Sequence, residues 1–294
     1  MHPRKKQIID AAHHVFLEKG FIDTSIQDII KEANIAKGTF YNYFSSKNEC
    51  LIAILEHIQE IGTQKRMELA IGHSNQDEEI FIQQILLRLQ TNHQNHVFTI
   101  LSAVFLSKDE ELISFVRSQH KYELYWTSGR IIEMFGEQVR DYALDNAALL
   151  LSLVQNLPNI WKICSTEKIE FEKIVRFAFS RVKVNIFNQL QTKESFFSHE
   201  WLASLEPKNE VNLQELKSEL IEQLQHSQKK LALDNDLNIE YIQFLIAELN
   251  EASPRIFLLQ SVTNTCTTVW KGTKHEDDMR EIIMGLWKFI KLSK

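Results

Sequence analysis

A chain with only 4 prolines and 8 glycines among 294 residues has few places where a helix must break or a backbone must turn tightly. That scarcity argues against a sheet-rich fold stitched by tight turns. Cysteine is also rare. Cys50, Cys164 and Cys266 are odd in number, widely spaced and without any CxxC pair. This excludes a disulfide framework and points to plain thiols in a reducing compartment. No uninterrupted apolar run approaches the roughly 18 residues that a membrane span needs. The start, MHPRKKQIID, has basic residues but no apolar stretch after them, so no secretory signal is expected. Also missing are a P-loop, a GxGxxG turn, a nucleophile elbow and an HExxH helix. Carboxylates are plentiful, but no pair stands out as an acid and a base. No cofactor and no catalytic residue is expected.

What is present is long helical periodicity. Hydrophobic residues make up 44% of the chain and charged residues 24%, a composition that supports a packed core. The expected fold class is all-α. The net charge of -6 hides an asymmetry. Residues 1–48 carry seven Lys/Arg against five Asp/Glu, whereas the remainder carries 26 against 34. A mildly basic head on an acidic body suits DNA at one end and another partner elsewhere.

The head divides into short helices. Ile8, Ile9, Ala12, Val15 and Phe16 recur with a helical period from Pro3 to Lys19, and Gly20 fits the stop. Ser25 and Asp28 stand at capping-box spacing before Ile26, Ile29 and Ile30. Asn34 then suits a turn that needs positive φ, and Ile35 would plug the angle it makes. The segment KGTFYNYF, Lys37 to Phe44, follows. On a helix, Phe40 and Phe44 fall on one side and Gly38, Tyr41 and Asn42 on the other. Two aromatics are therefore expected in the core and Tyr41 outside. Ser46 and Glu49 open a long fourth helix. Three helices with a tight turn between the second and third make a helix-turn-helix, whose last helix enters the major groove. Lys37 and Lys47 can neutralise phosphates, and Thr39, Tyr41, Asn42 and Tyr43 offer hydroxyl or amide groups. Gly38 allows close approach of a backbone or a thymine methyl. Alone, KGTFYNYF could equally be a core helix packed by aromatics.

The span Ile8 to Leu55, IIDAAHHVFLEKGFIDTSIQDIIKEANIAKGTFYNYFSSKNECLIAIL, resembles the DNA-binding domain of TetR-type (TetR/AcrR) transcriptional regulators. The resemblance implies a homodimeric cytoplasmic repressor with an all-helical ligand-binding and dimerisation domain, released from DNA when an effector binds. It assigns Thr24 and Ser25 to capping and phosphate contact, and Gln27 to a base-facing position. Lys37, Gly38, Thr39 and Tyr41 match its base- and phosphate-facing positions, Asn42 and Tyr43 its phosphate-facing positions, and Lys47 its phosphate-binding lysine. Asn34 departs from the usual glycine, and Asn42 stands where histidine or an aromatic is common. The chain is also considerably longer than typical members.

The expected organisation is 1–46 as the DNA-binding head, 47–190 as the effector and dimer body, and 191–294 as an additional helical region whose role the resemblance does not imply. Helices are expected at about 77–92, 96–106, 110–135, 144–164 and 170–189, and then at 213–231, 239–250, 254–270 and 276–292, with irregular chain and a Pro207-Lys208-Asn209 turn between the two sets. Phe98, Phe105, Tyr122, Tyr125, Trp126, Asn156 and Trp161 are candidates to line an effector cavity, and each of the aromatics is also an ordinary core residue by type. Pro158 is expected to break or kink its helix and open space beside Asn156 and Asn159. His93 and His96 lack a third ligand at helical spacing, so no metal site is expected. Asp77, Glu78 and Glu79 read as charge at a helix start. The partners expected are a double-stranded palindromic operator, a small hydrophobic or amphipathic effector and a second copy of the chain, with no membrane. Two alternatives stay open: a DNA-binding structural or cell-division factor without an effector, and a helical enzyme with an incidental helix-turn-helix.

Overall fold

The computed structural model describes residues 2–206, 213–233 and 238–293. The chain is all-α, with no strand among the described residues. It falls into two compact units, Met1–Pro207 and Lys208–Lys294.

In the first unit, α1 (Pro3–Lys19) begins at His2, whose side chain caps the Arg4 N–H, and stops at Gly20 with φ of 84°. A left-handed φ of this kind costs glycine nothing and any other residue strain. The second helix, α2 (Ile26–Glu32), opens on a complete capping box between Ser25 and Asp28. Lys19 pairs with the same Asp28 carboxylate. The Lys19 bond first, and then those from Ser25, hold Asp28 well below the usual carboxylate range. After Asn34, at φ of 49°, comes α3 (Lys37–Tyr41). Then α4 (Lys47–Ala70) runs unbroken through Gly62. Its start differs slightly from the expected capping box. The Ser46 hydroxyl takes the Glu49 N–H, but the Glu49 carboxylate takes the Ser45 N–H and hydroxyl.

The body continues with α5 (Glu78–Gln94), α6 (Val97–Ser107), α7 (Glu110–Phe135), a 3-10 turn at Glu137–Tyr142, α8 (Ala143–Cys164), α9 (Phe171–Thr192) and the short α10 (His199–Ser204). Asp77 caps α5, and Glu78 and Glu79 tie it to Lys183 and Arg176 of α9. Contrary to expectation, Pro158 does not break α8. The helix continues through it to Cys164, with Pro158 buried and Asn156 and Asn159 exposed. Proline removes one helical N–H, and packing of the rest of the helix outweighs that loss. Residues 191–206, expected to begin the additional region, lie in the first unit. There the Phe196 and Phe197 N–H groups donate to Asp145 of α8 at 2.7 and 2.9 Å. The proposed Pro207-Lys208-Asn209 turn lies outside the described residues.

Two cores form in this unit. One joins the head to α4, α6 and α7, from Ile8, Phe16, Phe40 and Phe44 through Leu51 and Ile58 to Val97, Val104 and Val116. The other lies among α5, α7, α8 and α9 around Phe81, Ile131, Leu150 and Phe179. The second unit, by itself, is a helical bundle of α11 (Leu213–Leu233), α12 (Ile239–Asn250), α13 (Ile256–Val269) and α14 (Glu276–Leu292), packed around Leu224, Leu245, Trp270 and Leu286. Gly285 permits a close approach of α14 to α11, since a Cβ there would lie 2.6 Å from a Leu220 methyl. Burial pushes the thiols of Cys50 and Cys266 up to about 12, which leaves them protonated. No helix among the described residues is long and apolar enough to cross a membrane.

Candidate nucleic-acid interface and adjoining cavity

The outward face of the head is built by burying its opposite side. Phe40 and Phe44 are almost fully buried, with ring centroids 5.9 Å apart. Once they anchor α3, Lys37, Gly38, Tyr41 and Asn42 are left in solvent, and Thr39 is half-buried. Tyr41 is 46% exposed, and the Lys37 ammonium lies 5.9 Å from its ring centroid. Ser25 and Gln27 of α2 are exposed as well. A hydroxyl, an amide and an ammonium on one short surface can meet phosphates and base edges.

Three expected contact residues are occupied within the protein. Thr24 is buried, and its hydroxyl donates to the Gly20 carbonyl at 2.7 Å. Tyr43 is half-buried, with its hydroxyl 3.0 Å from His2 Nδ1. Lys47 is the clearest departure. Its Nζ donates to the carbonyls of Phe21, Ile22 and Thr24 at 2.7, 3.2 and 2.8 Å, and it lies 4.6 Å from the Phe21 ring centroid. All three ammonium hydrogens have acceptors, so Lys47 staples the α1–α2 loop to α4 in place of presenting its charge outward. Desolvation lowers the Lys47 pKa, and the Asp23 carboxylate opposes that shift.

A cavity of about 540 Å³ lies beneath the head, bounded by α4, α5, α6 and α7 with Gln155 of α8. Its apolar wall includes Leu55, Ile58, Val97 and Val116, which also belong to the core of the head. Phe98 and Phe105 line it as expected. The other five candidates are not among its lining residues. Tyr122 is half-buried, and its phenol is pushed up first by desolvation. The Tyr125 hydroxyl reaches Glu206 at 3.5 Å. Trp126 packs behind the wall, under the Arg66 guanidinium at 4.2 Å. Asn156 is exposed, and the Trp161 Nε1 donates to the Glu167 carbonyl at 3.3 Å.

Sequence reasoning missed the charged end of the cavity. Arg66 of α4 and Glu123 of α7 form a buried two-pronged pair, each prong 3.0 Å. The Arg88 Nε of α5 reaches the same carboxylate at 3.0 Å. Burial pushes the Glu123 carboxyl up, but the charges and bonds of Arg88 and Arg66 outweigh it and hold it below its ordinary value. The one available signal was spacing. Arg66 follows Ile58 and Gly62 at four-residue steps, along the inward stripe of α4. Two further contacts join α1 to the start of α6 and α4 to the start of α7. His13 Nε2 lies 3.1 Å from the Asn95 carbonyl, and the Asn48 amide donates to the Asp109 carboxylate at 2.7 Å. Among the described residues no group of three or more His, Cys, Asp or Glu is placed to hold a metal. The His93 ring packs on Phe171 at 4.9 Å.

The comparisons with known proteins agree with the head's geometry. Residues 8–54 match the family model described as bacterial regulatory proteins, tetR family. The uncharacterized HTH-type transcriptional regulator YerO of Bacillus subtilis is 21% identical across 98% of both chains, a match that runs through both units. Another Bacillus subtilis relative, the uncharacterized HTH-type transcriptional regulator YvdT, is 51% identical over 53 residues, which is 18% of this chain and 27% of its own. A crystal structure assigned to the TetR family, from Syntrophomonas wolfei, aligns over 63% of this chain and 95% of its own, with 23% identity and a TM-score of 0.49. With the helix-turn-helix folded as its sequence requires and the family model matched across it, residues 8–54 form a DNA-binding domain of the TetR type, and the chain is similar along its length to HTH-type transcriptional regulators.

Proposed function

We propose that the chain is a ligand-responsive repressor that binds a palindromic operator as a homodimer and is released by a small hydrophobic or amphipathic effector. The observation that carries this reading is the shared wall. Leu55, Ile58, Val97 and Val116 face the cavity and belong to the core that holds the DNA-reading helix. An effector that repacks this wall shifts α4 and, through it, the head. An effector-free structural factor has no use for such a cavity. Residues 1–46 act as the reading head and 47–190, with 191–206 in the same unit, as the effector and dimer body, and the second unit is an added helical region.

Dimerisation is supported by apolar side chains left in solvent on α8 and α9. Ile160 and Ile163 of α8 are exposed, the latter by 83%. Phe177, Val184 and Phe187 of α9 are exposed too, and their spacing places them on one helix face. An exposed apolar face of this kind marks an interface, and a second copy offers the same face under two-fold symmetry. Two heads on that axis read half-sites about one helical turn apart.

Selection from a random pool of double-stranded DNA tests the proposal. The intact protein is expected to enrich a palindrome. Tyr41→Ala should remain folded and lose discrimination at the affected base pairs, each worth about 1–3 kcal/mol. The double variant V184E/F187E should be monomeric by light scattering and enrich no palindrome. Retention of DNA without sequence preference, equally by the intact protein and by Tyr41→Ala, would refute the assignment of the reading face.

A further inference from the structure

The charged end of the cavity has more positive charge than it can use. Of the side chains that line the cavity, four are Lys or Arg and one is a carboxylate. Arg117 and Lys121 are exposed at its rim, and His120 stands beside them. Arg66 and Arg88 lie deeper. Arg66 meets both oxygens of Glu123 and stacks on Trp126, so that pair is neutral and satisfied. The Arg88 Nε lies 3.0 Å from the same carboxylate, so two guanidinium groups share one acidic group. Arg88 itself lines the cavity, and its side chain is partly exposed there. A partly buried guanidinium that shares its counter-charge with a second one keeps part of its desolvation cost, and a ligand that carries a negative charge reduces it.

We infer that the effector is an amphipathic monoanion, an apolar body ended by a single carboxylate, with the carboxylate on the terminal amino groups of Arg88 and the apolar body against Ile58, Val97, Phe98 and Phe105. A carboxylate fits because its two oxygens match the planar fork of a guanidinium. A single charge fits because Arg66 and Arg88 share one carboxylate, which leaves one positive charge over. A larger anionic charge would meet Glu123, whose oxygens are already turned toward Arg66 and Arg88. The cavity, about 540 Å³, lies within the roughly 300–1,000 Å³ of small-molecule sites. The inference deepens the effector reading above and rests on it.

Calorimetric titration of the full chain with dodecanoate, dodecanol and dodecyltrimethylammonium tests it. The three share a tail and differ in head charge. Dodecanoate should bind at least about tenfold more tightly than dodecanol, and the cation should not bind, since a charge-assisted fork is worth at least that factor. Arg88→Gln should abolish the preference for dodecanoate over dodecanol. Equal affinity of the intact protein for acid and alcohol overturns the inference, and so does absence of dodecanoate binding. Neither result depends on whether the variant folds. Operator release is measured alongside on a selected DNA fragment. Tight dodecanoate binding that leaves the DNA bound would uphold the anion subsite and sink the effector reading.

Discussion

Phe40→Ala is expected to dissolve the DNA-reading surface while Tyr41→Ala, one residue away, leaves it folded and blind. The Phe40 side chain is fully buried, against Phe44 at 5.9 Å and Tyr41 at 5.5 Å between ring centroids. Truncating a buried phenylalanine to alanine costs about 3–5 kcal/mol. That is a large share of the 5–15 kcal/mol that separates a typical folded domain from its unfolded chain. The helix that carries Phe40 spans only five residues, far below the length at which a helix persists alone. It exists because Phe40 and Phe44 hold it down. Losing one anchor should release α3 and the turn at Asn34, and operator affinity should fall to the sequence-blind level, roughly 10³-fold or more weaker. Hydrogen exchange of the α2–α3 amides and operator binding check this together. An alanine variant that binds operator within a few-fold of the intact protein would mean that the head is held by other contacts.

The second large effect is expected at Glu123. Glu123→Gln keeps the shape of the side chain and removes its charge, which leaves two guanidinium groups facing a neutral amide. Breaking a buried ion pair on one side costs about 3–5 kcal/mol. In a unit of this size that lowers the melting temperature by on the order of 10 °C. The pH dependence separates charge from shape. The folded-state pKa of Glu123 lies below its ordinary value, with the charges of Arg88 and Arg66 outweighing burial. A depressed carboxylate contributes stability that is full above the unfolded value, near 4.3, and is lost as pH falls through the folded one. The gap between the intact protein and Glu123→Gln should therefore be widest near neutrality and shrink on acidification below about pH 4. Thermal melts of both proteins between neutral and acidic pH measure it. A gap that does not change with pH would mean that the cost is one of packing, not of charge.

Much of the head was legible because its determinants are local. Gly20, the Ser25–Asp28 box, Asn34 and the spacing of Phe40 from Phe44 each act within one or two turns, and each takes its expected place. The internal use of Lys47 was not legible. Its three acceptors are carbonyls 23–26 residues earlier in the chain, and nothing local distinguishes a lysine that reaches for phosphate from one that reaches back. The cavity was legible only in part. Phe98 and Phe105 line it, but Tyr125, Trp126 and Trp161 are equally aromatic and lie elsewhere. Aromatic content marks burial without saying which buried space stays empty. The expected break at Pro158 failed for a related reason. Local preference disfavours proline within a helix, and the packing of α8 against its neighbours overrode that preference.

By itself, then, the sequence determined the all-α class, the helix boundaries and the helix-turn-helix with its outward Tyr41, since caps, turns and amphipathic period are written in neighbouring residues. Only the tertiary structure decided that Arg66, Arg88 and Glu123 meet at one end of a cavity, that the cavity shares its wall with the DNA-reading head, and that residues 191–206 pack with the first unit. Those groups are 22 to 57 positions apart in the chain. Their meeting depends on how helices pack, which no local period records.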